Sequence, residues 1–364
     1  MSEIGSVDKN LYIPPDVDVS DLVFRDVRNA PFEVYGLYNY KNEPQFKRLP
    51  DSVGLSMGTG IARLYTHTAG GRVRFATNSK TLAIKAYMPD TCLMPHMPFS
   101  GSAGFDVFVE DDQMRTYQHV KTFVPPVDLK NGYISRFDFP TEELRYITIN
   151  FPLYNSLEKL EIGLSDGAEL SEGLKYKSEL PIVYYGSSIT QGGCASRPGN
   201  AYQNIIARRF ELDFINLGFS GNAKGEDAMV DYIRSLDMLA FVCDYDHNAP
   251  DEEHLKKTHR RMYERFREAH PDTPYIMASK IDKVDSEACY ARRDVIIDTF
   301  RYARSLGDNN VYFIDGAGIF RGFEDYTTVD TCHPNDLGFF LMANAFGDEI
   351  KKALEKSSAN LKIK

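Results

Sequence analysis

The sequence predicts a two-part α/β protein: a parallel five-stranded sheet with helices on both faces, preceded by a β-sandwich of jelly-roll type. Three observations carry this. After Pro181, strand-length apolar runs alternate with helix-length segments, the rhythm of β/α units whose parallel strands are covered on both faces. Between positions 22 and 164, short apolar or alternating runs are separated by turn residues, with no long amphipathic helix. A length of 364 residues exceeds what one hydrophobic core comfortably organises.

In chain order, residues 1–20 are polar and contain prolines, and read as an arm. Residues 21–165 form the expected sandwich, with strand-like runs at 72–77, 82–87, 105–109 and 146–151. Residues 166–180 are polar, carry Gly167 and Gly173, and read as a linker. The α/β part is expected over 181–358, with strands at 182–185, 214–217, 239–244, 275–279 and 311–314. Helices are expected between them at 201–210, 226–235, 251–269 and 286–306, with a last one at 334–354. Asp251, Glu252 and Glu253 follow Pro250 and complement the dipole of a helix start. Residues 359–364 are a tail.

Composition narrows the function classes. A net charge of −10 argues against a nucleic-acid backbone or an anionic membrane as the main partner. The N-terminus has neither the basic nor the apolar region of a secretory leader, and no apolar run is of bilayer length. Five scattered cysteines without a CxxC pair read as reduced thiols. The expectation is a cytoplasmic protein. No metal or cofactor is expected. His254 and His259 are five apart and do not share a helix face, and His247 adds no zinc-type spacing. Gly58-Thr59-Gly60 lacks the third glycine of a dinucleotide fingerprint.

Four blocks fall at or near the carboxyl ends of the expected strands, where open α/β sheets bind ligands. They are Gly186-Ser187-Ser188, the stretch from Asn216 to Asn222, the stretch from Asp244 to Asn248, and Asp330-Thr331-Cys332-His333. Acyl transfer needs a nucleophile, a base, a group that orients the base, and donors for the oxyanion. Ser188 would attack, His333 would take its proton, and Asp330 would hold the imidazole in the right tautomer across one turn. The oxyanion donors would be the backbone N–H groups of Ser188 and Gly221 and the side-chain amide of Asn248. Gly218 competes with Gly221 for this role, and His247 or Asp246 with Asn248. Arg197, a few residues beyond Ser188, is a candidate substrate contact at the cleft rim. Cys194 and Cys332 flank the site and read as small packing residues.

These blocks resemble the SGNH (GDSL-type) esterase superfamily. Its serine, glycine, asparagine and histidine map onto Ser188, Gly221, Asn248 and His333. The stretches 185–199 and 328–334 are similar to a two-domain bacterial branch that places a β-sandwich before the hydrolase domain. The resemblance implies a flavodoxin-like hydrolase domain over 181–358 and is looser over the first half. One departure stands out: the family's usual Gly-Asp-Ser is here Gly186-Ser187-Ser188. The domain pairing is also similar to that of some carbohydrate esterases. The implied function is hydrolysis of short acyl esters, acetyl first, on a carbohydrate such as an acetylated oligosaccharide or a similar small molecule. An acyltransferase using the same acyl-enzyme and a non-catalytic glycan-binding protein are the alternatives. The sandwich would brace the hydrolase domain; with no Trp in the chain, a sugar platform would have to use tyrosines. The loop 88–98, rich in Pro and Met, would form a wall of the cleft. The oligomeric state is not legible.

Overall fold

The computed structural model describes residues 17–111, 113, 116–281 and 287–357. Most of the expected arm, Ser286 and the tail 359–364 lie outside the described residues.

The first half folds into two antiparallel sheets. One has the order β1 (Leu22–Asp26), β9 (Lys159–Ser165), β4 (Thr81–Tyr87), β7 (Gly132–Asp138). The other runs β10 (Leu170–Glu172), β3 (Arg72–Thr77), β8 (Arg145–Asn150), β5 (Phe105–Glu110), β6 (Tyr117–Phe123), with β2 (Glu33–Tyr35) also on β3. Their facing side chains, among them Val73, Phe75, Leu82, Ile84, Phe105, Ile147, Ile149 and Ile162, make one apolar core. Among the described residues of this half, helix is confined to turns of four to six residues, Asp51–Gly54, Thr59–Leu64 and Phe99–Ser102.

β3 departs from the in–out pattern that its sequence suggests, because all six of its residues are buried. The polar face carries Arg72 and Arg74, and it is covered rather than solvated. Arg72 pairs with Asp213 and donates to the Phe214 carbonyl at 3.2 Å, both in the second domain. Arg74 pairs with Glu110 inside the sheet. Segment 166–180 is also built in. It contributes β10, and its Tyr176 accepts from Arg72 Nε at 2.7 Å and lies 4.2 Å under the Arg74 guanidinium.

The second half is a parallel sheet in the order β12 (Phe214–Gly218), β11 (Ile182–Gly186), β13 (Ala240–Asp244), β14 (Tyr275–Ala278), β15 (Val311–Ile314). In order of appearance its strands read 2-1-3-4-5, the flavodoxin-like arrangement, whose ligand crevice lies at the switch point beside the first strand. The helices are α1 (Ser188–Gln191), α2 (Tyr202–Phe210), α3 (Asp227–Arg234), α4 (Glu252–Ala269), α5 (Glu287–Ser305) and α6 (Asp336–Ser357). α4 starts where the acids imply: Asp251 caps it, accepting from the His254 N–H. One apolar cluster crosses the junction, joining Ala69, Met97, Leu153 and Tyr154 of the sandwich to Ile182, Tyr184 and Tyr202. Among the described residues no helix is long and apolar enough to cross a membrane.

Candidate active site

Ser188 sits where β11 ends. In register, Gly186 stands beside Gly218 on one neighbouring strand and Asp244 on the other, so three of the four blocks begin at one sheet edge. The chain must turn sharply there. A Cβ on Gly186 would lie 2.1 Å from Thr190 Oγ1 and 2.3 Å from the Asp244 carbonyl oxygen, so only glycine fits. Ser187 is extended, and its Oγ accepts the Ile189 N–H at 3.1 Å, capping α1. That is a hydrogen bond an aspartate would also make, so the departure from Gly-Asp-Ser keeps the turn's cap. Ser188 opens the helix and is 9% exposed. Its N–H is one of the donors that a helix start leaves unpaired.

The fourth block meets it from the loop after β15. Asp330 Oδ1 accepts the N–H groups of His333 (2.7 Å) and Cys332 (3.1 Å), with Thr331 in the left-handed region at φ 69°. Its Oδ2 is 2.7 Å from His333 Nδ1, and His333 Nε2 is 2.9 Å from Ser188 Oγ. Burial raises the Asp330 carboxyl pKa, but the donors from His333 and Cys332 outweigh it and hold the group below the ordinary range. An ionised carboxylate can only accept, so Nδ1 carries the proton and Nε2 is left as acceptor for the serine hydroxyl.

Gly221 has φ 69° and nothing within 4 Å of where a Cβ would stand. Gly218 is otherwise engaged, its N–H donating to Asn216 Oδ1 at 2.8 Å. Asn248 Nδ2 donates one proton to the Phe219 carbonyl at 2.8 Å, which ties the second block to the third and leaves the other amide proton to a ligand. The two competitors for Asn248 are occupied elsewhere. Asp246 accepts from the Lys280 N–H (2.9 Å) and Arg292 Nε (3.0 Å), and His247 Nε2 accepts from the Ile281 N–H (3.4 Å). Arg197, the candidate substrate contact, has its guanidinium 2.7 Å from the fully buried Asp106 carboxylate of β5, an ion pair that joins the two domains.

Several residues outside the four blocks hold this arrangement. Gln191 accepts the Ser220 N–H at 3.0 Å and donates to the Leu153 carbonyl at 3.1 Å. Arg48 reaches across from the sandwich, buried to 1% exposure, and donates to the carbonyls of Asn216 (3.2 Å), Gly218 (2.5 Å) and Leu64 (2.7 Å). Burial lowers its pKa to about 9. Tyr154, also from the sandwich, donates to the Ser188 carbonyl at 3.0 Å. Beneath the sheet edge lies Asp244, wholly buried, with Oδ2 taking Thr190 and Tyr202 hydroxyls and Oδ1 without a partner among the described residues. Burial pushes its carboxyl up to about 8.

A cavity of about 400 Å³ lies beside these residues, between the domains. His96 and Pro98 of the 88–98 loop form one side, and Cys194, Ser196, Val329 and Leu337 are on the other. The His96 and His333 rings lie 5.6 Å apart, centre to centre. His96, Cys194 and His333 are the one group among the described residues whose His, Cys, Asp or Glu donors cluster closely enough to hold a metal ion.

Comparison with known proteins accounts for both halves. Residues 179–351 match the GDSL-like lipase/acylhydrolase family, and residues 22–170 match the N-terminal domain of SGNH-hydrolase-type esterases. Among curated proteins there is no match. A crystal structure from Bacteroides ovatus, described as of a GDSL-like lipase, is 28% identical with a TM-score of 0.84, over 94% of this chain and 99% of that one. The salicylyl-acyltransferase SsfX3 of a tetracycline biosynthetic pathway is 20% identical with a TM-score of 0.74, over 91% and 97%. A family two carbohydrate esterase from Clostridium thermocellum, solved with cellohexaose, is 14% identical with a TM-score of 0.62, over 89% and 99%. These last two share the fold. With both halves matched, the chain belongs to the SGNH (GDSL-type) esterase superfamily, in the form that sets a β-sandwich before the hydrolase domain.

Proposed function

We propose that this protein is a serine esterase that removes short acyl groups, acetyl first, from a carbohydrate or similarly hydroxylated small molecule. The observation that carries the reading is the unbroken chain from Asp330 Oδ2 to His333 Nδ1 (2.7 Å) and from His333 Nε2 to Ser188 Oγ (2.9 Å) at the end of β11. Ser188 Oγ attacks the ester carbonyl while its proton passes to His333 Nε2. Asp330 stabilises the imidazolium so formed. The tetrahedral oxyanion takes the N–H groups of Ser188 and Gly221 and the second amide proton of Asn248, each such donor contributing about 3–4 kcal/mol to the barrier reduction. His333 then protonates the departing alcohol, leaving an acyl-enzyme. Water enters, gives its proton to His333, and attacks the acyl carbon; collapse returns the proton to Ser188.

The cavity beside Ser188, with His96 and Ser196 among its polar lining, supports a hydroxylated substrate. The carbohydrate is supported further by the same two-domain fold in a carbohydrate esterase solved with cellohexaose. The fold shared with an acyltransferase supports a second reading, in which an alcohol replaces water in the last step. Initial rates on nitrophenyl acetate, butyrate and octanoate and on acetylated xylo-oligosaccharides test the proposal. Acetyl release that is fastest on acetate and on the oligosaccharide supports it; preference for octanoate, or release only when an acceptor alcohol is added, contradicts it.

A further inference from the structure

His96 and Cys194 have no part in the esterase steps above, yet together with His333 they make a cluster of specific chemistry. Two imidazoles and one thiol are a borderline-soft donor set of the kind that holds zinc and its first-row neighbours. Their donor atoms lie within 4.8 Å of one another. A tetrahedral zinc with bonds of about 2.0–2.3 Å needs donors about 3.3–3.8 Å apart, so the cluster must contract by about 1 Å. His96 is the member able to move, since it is exposed and sits on the 88–98 loop, whereas Cys194 is buried on the turn after α1.

The orientation of His333 is already suited. Its Nδ1 is fixed by Asp330 at 2.7 Å, the carboxylate–histidine arrangement that supports metal-bound imidazoles and leaves Nε2 as the free donor. That nitrogen is the one facing Ser188 Oγ at 2.9 Å. The three residues come from two domains and from positions 96, 194 and 333, so no spacing in the sequence brings them together.

We propose that His96, Cys194 and His333 form a binding site for a borderline divalent cation, zinc foremost, and that its occupation switches the enzyme off. The ion forms bonds to one nitrogen of His96, to Cys194 Sγ and to His333 Nε2; the thiol proton leaves to solvent, and a water or Ser188 Oγ completes the tetrahedron. While bound, the His333 lone pair is unavailable to the serine proton, and the His96 side of the cleft is drawn shut. The inhibitory half rests on His333 acting as the base; the binding half does not.

The test separates the two. Ser188→Ala protein keeps all three donors and cannot turn over ester, so it is titrated with cobalt(II) and followed by absorption. The expected result is a one-to-one complex with a thiolate-to-cobalt charge-transfer band, absent in Ser188→Ala/Cys194→Ser and at least tenfold weaker in affinity in Ser188→Ala/His96→Ala. In the otherwise wild-type protein, zinc inhibits ester hydrolysis, EDTA restores it, and His96→Ala raises the inhibitory midpoint at least tenfold relative to its own uninhibited rate. No charge-transfer band, or a band and midpoint unmoved by His96→Ala, overturns the proposal. A band in a protein that hydrolyses no ester leaves the metal site standing and removes the esterase reading.

Discussion

At the scale of single residues, the site depends on which proton sits where. Asp330 is ionised and hydrogen-bonded to both the backbone and the ring of His333, so it sets the tautomer. Asp330→Asn is expected to lower kcat by about 10²–10⁴-fold with little change in KM, because the amide can present the wrong atom to Nδ1; steady-state kinetics check this. The Asp330 pKa is depressed in the folded state, so its stabilising contribution is present above the unfolded value and is lost as pH falls through the folded one. Asp244 behaves oppositely. Its folded pKa, about 8, exceeds the unfolded value of 3.8, so the folded state holds the proton more tightly over that interval. Stability is therefore expected to fall as pH rises from about 4 to about 8. Asp244→Asn should flatten this slope in urea midpoints measured across the range, and a slope unchanged by the substitution would show that Asp244 is not its source. The meeting of Ser188, Asp330 and His333 was legible because each lies in a short block whose strand end could be read locally. The 88–98 loop was expected beside the cleft, and its His96 lies 5.6 Å from His333, ring centre to ring centre. Arg48 and Tyr154 were not legible as neighbours of that site, because an isolated Arg-Leu-Pro and a tyrosine after a strand carry no periodicity, and only the packing of two domains brings them near it.

At the scale of elements, the five parallel strands fall within one residue of their expected ends, since buried strands are continuous apolar runs bounded by turns. The short elements were harder. α1 is four residues long, too short for a helical period to show, and it is held by the Ser187 cap and the left-handed Gly192 at φ 104° rather than by propensity. Ser187→Ala is expected to destabilise the protein by about 1 kcal/mol and to lower kcat by loosening Ser188. Ser187→Asp should retain both, because its carboxylate can accept the same Ile189 N–H. Thermal midpoints and turnover of the two variants compare the cap directly. β3 shows why alternation alone misleads. The alternation puts Arg72 and Arg74 on the face away from the sandwich core, yet both are buried: the second domain supplies Asp213 and the Phe214 carbonyl to Arg72, and Glu110 and Tyr176 cover Arg74.

At the scale of the whole molecule, the sandwich buttresses the candidate site. Arg48 holds the second block by its carbonyls, Tyr154 holds the Ser188 carbonyl, and Asp106 holds Arg197. Arg48→Met keeps much of the volume but leaves three carbonyls without their donor. It is expected to cost about 2–4 kcal/mol and to lower kcat through displacement of the Gly221 loop. Chemical denaturation and kinetics on the same preparation separate the two effects; a stable variant with wild-type kcat would mean that Arg48 does not position the loop.

The most direct test of the acyl-enzyme mechanism is hydrolysis of p-nitrophenyl acetate by the wild-type protein and by Ser188→Ala, with folding of both verified by circular dichroism. The expected result is measurable acetate turnover that falls by at least about 10³-fold in the variant. A folded Ser188→Ala protein that retains turnover within tenfold of wild type would contradict the assignment of Ser188 as the nucleophile.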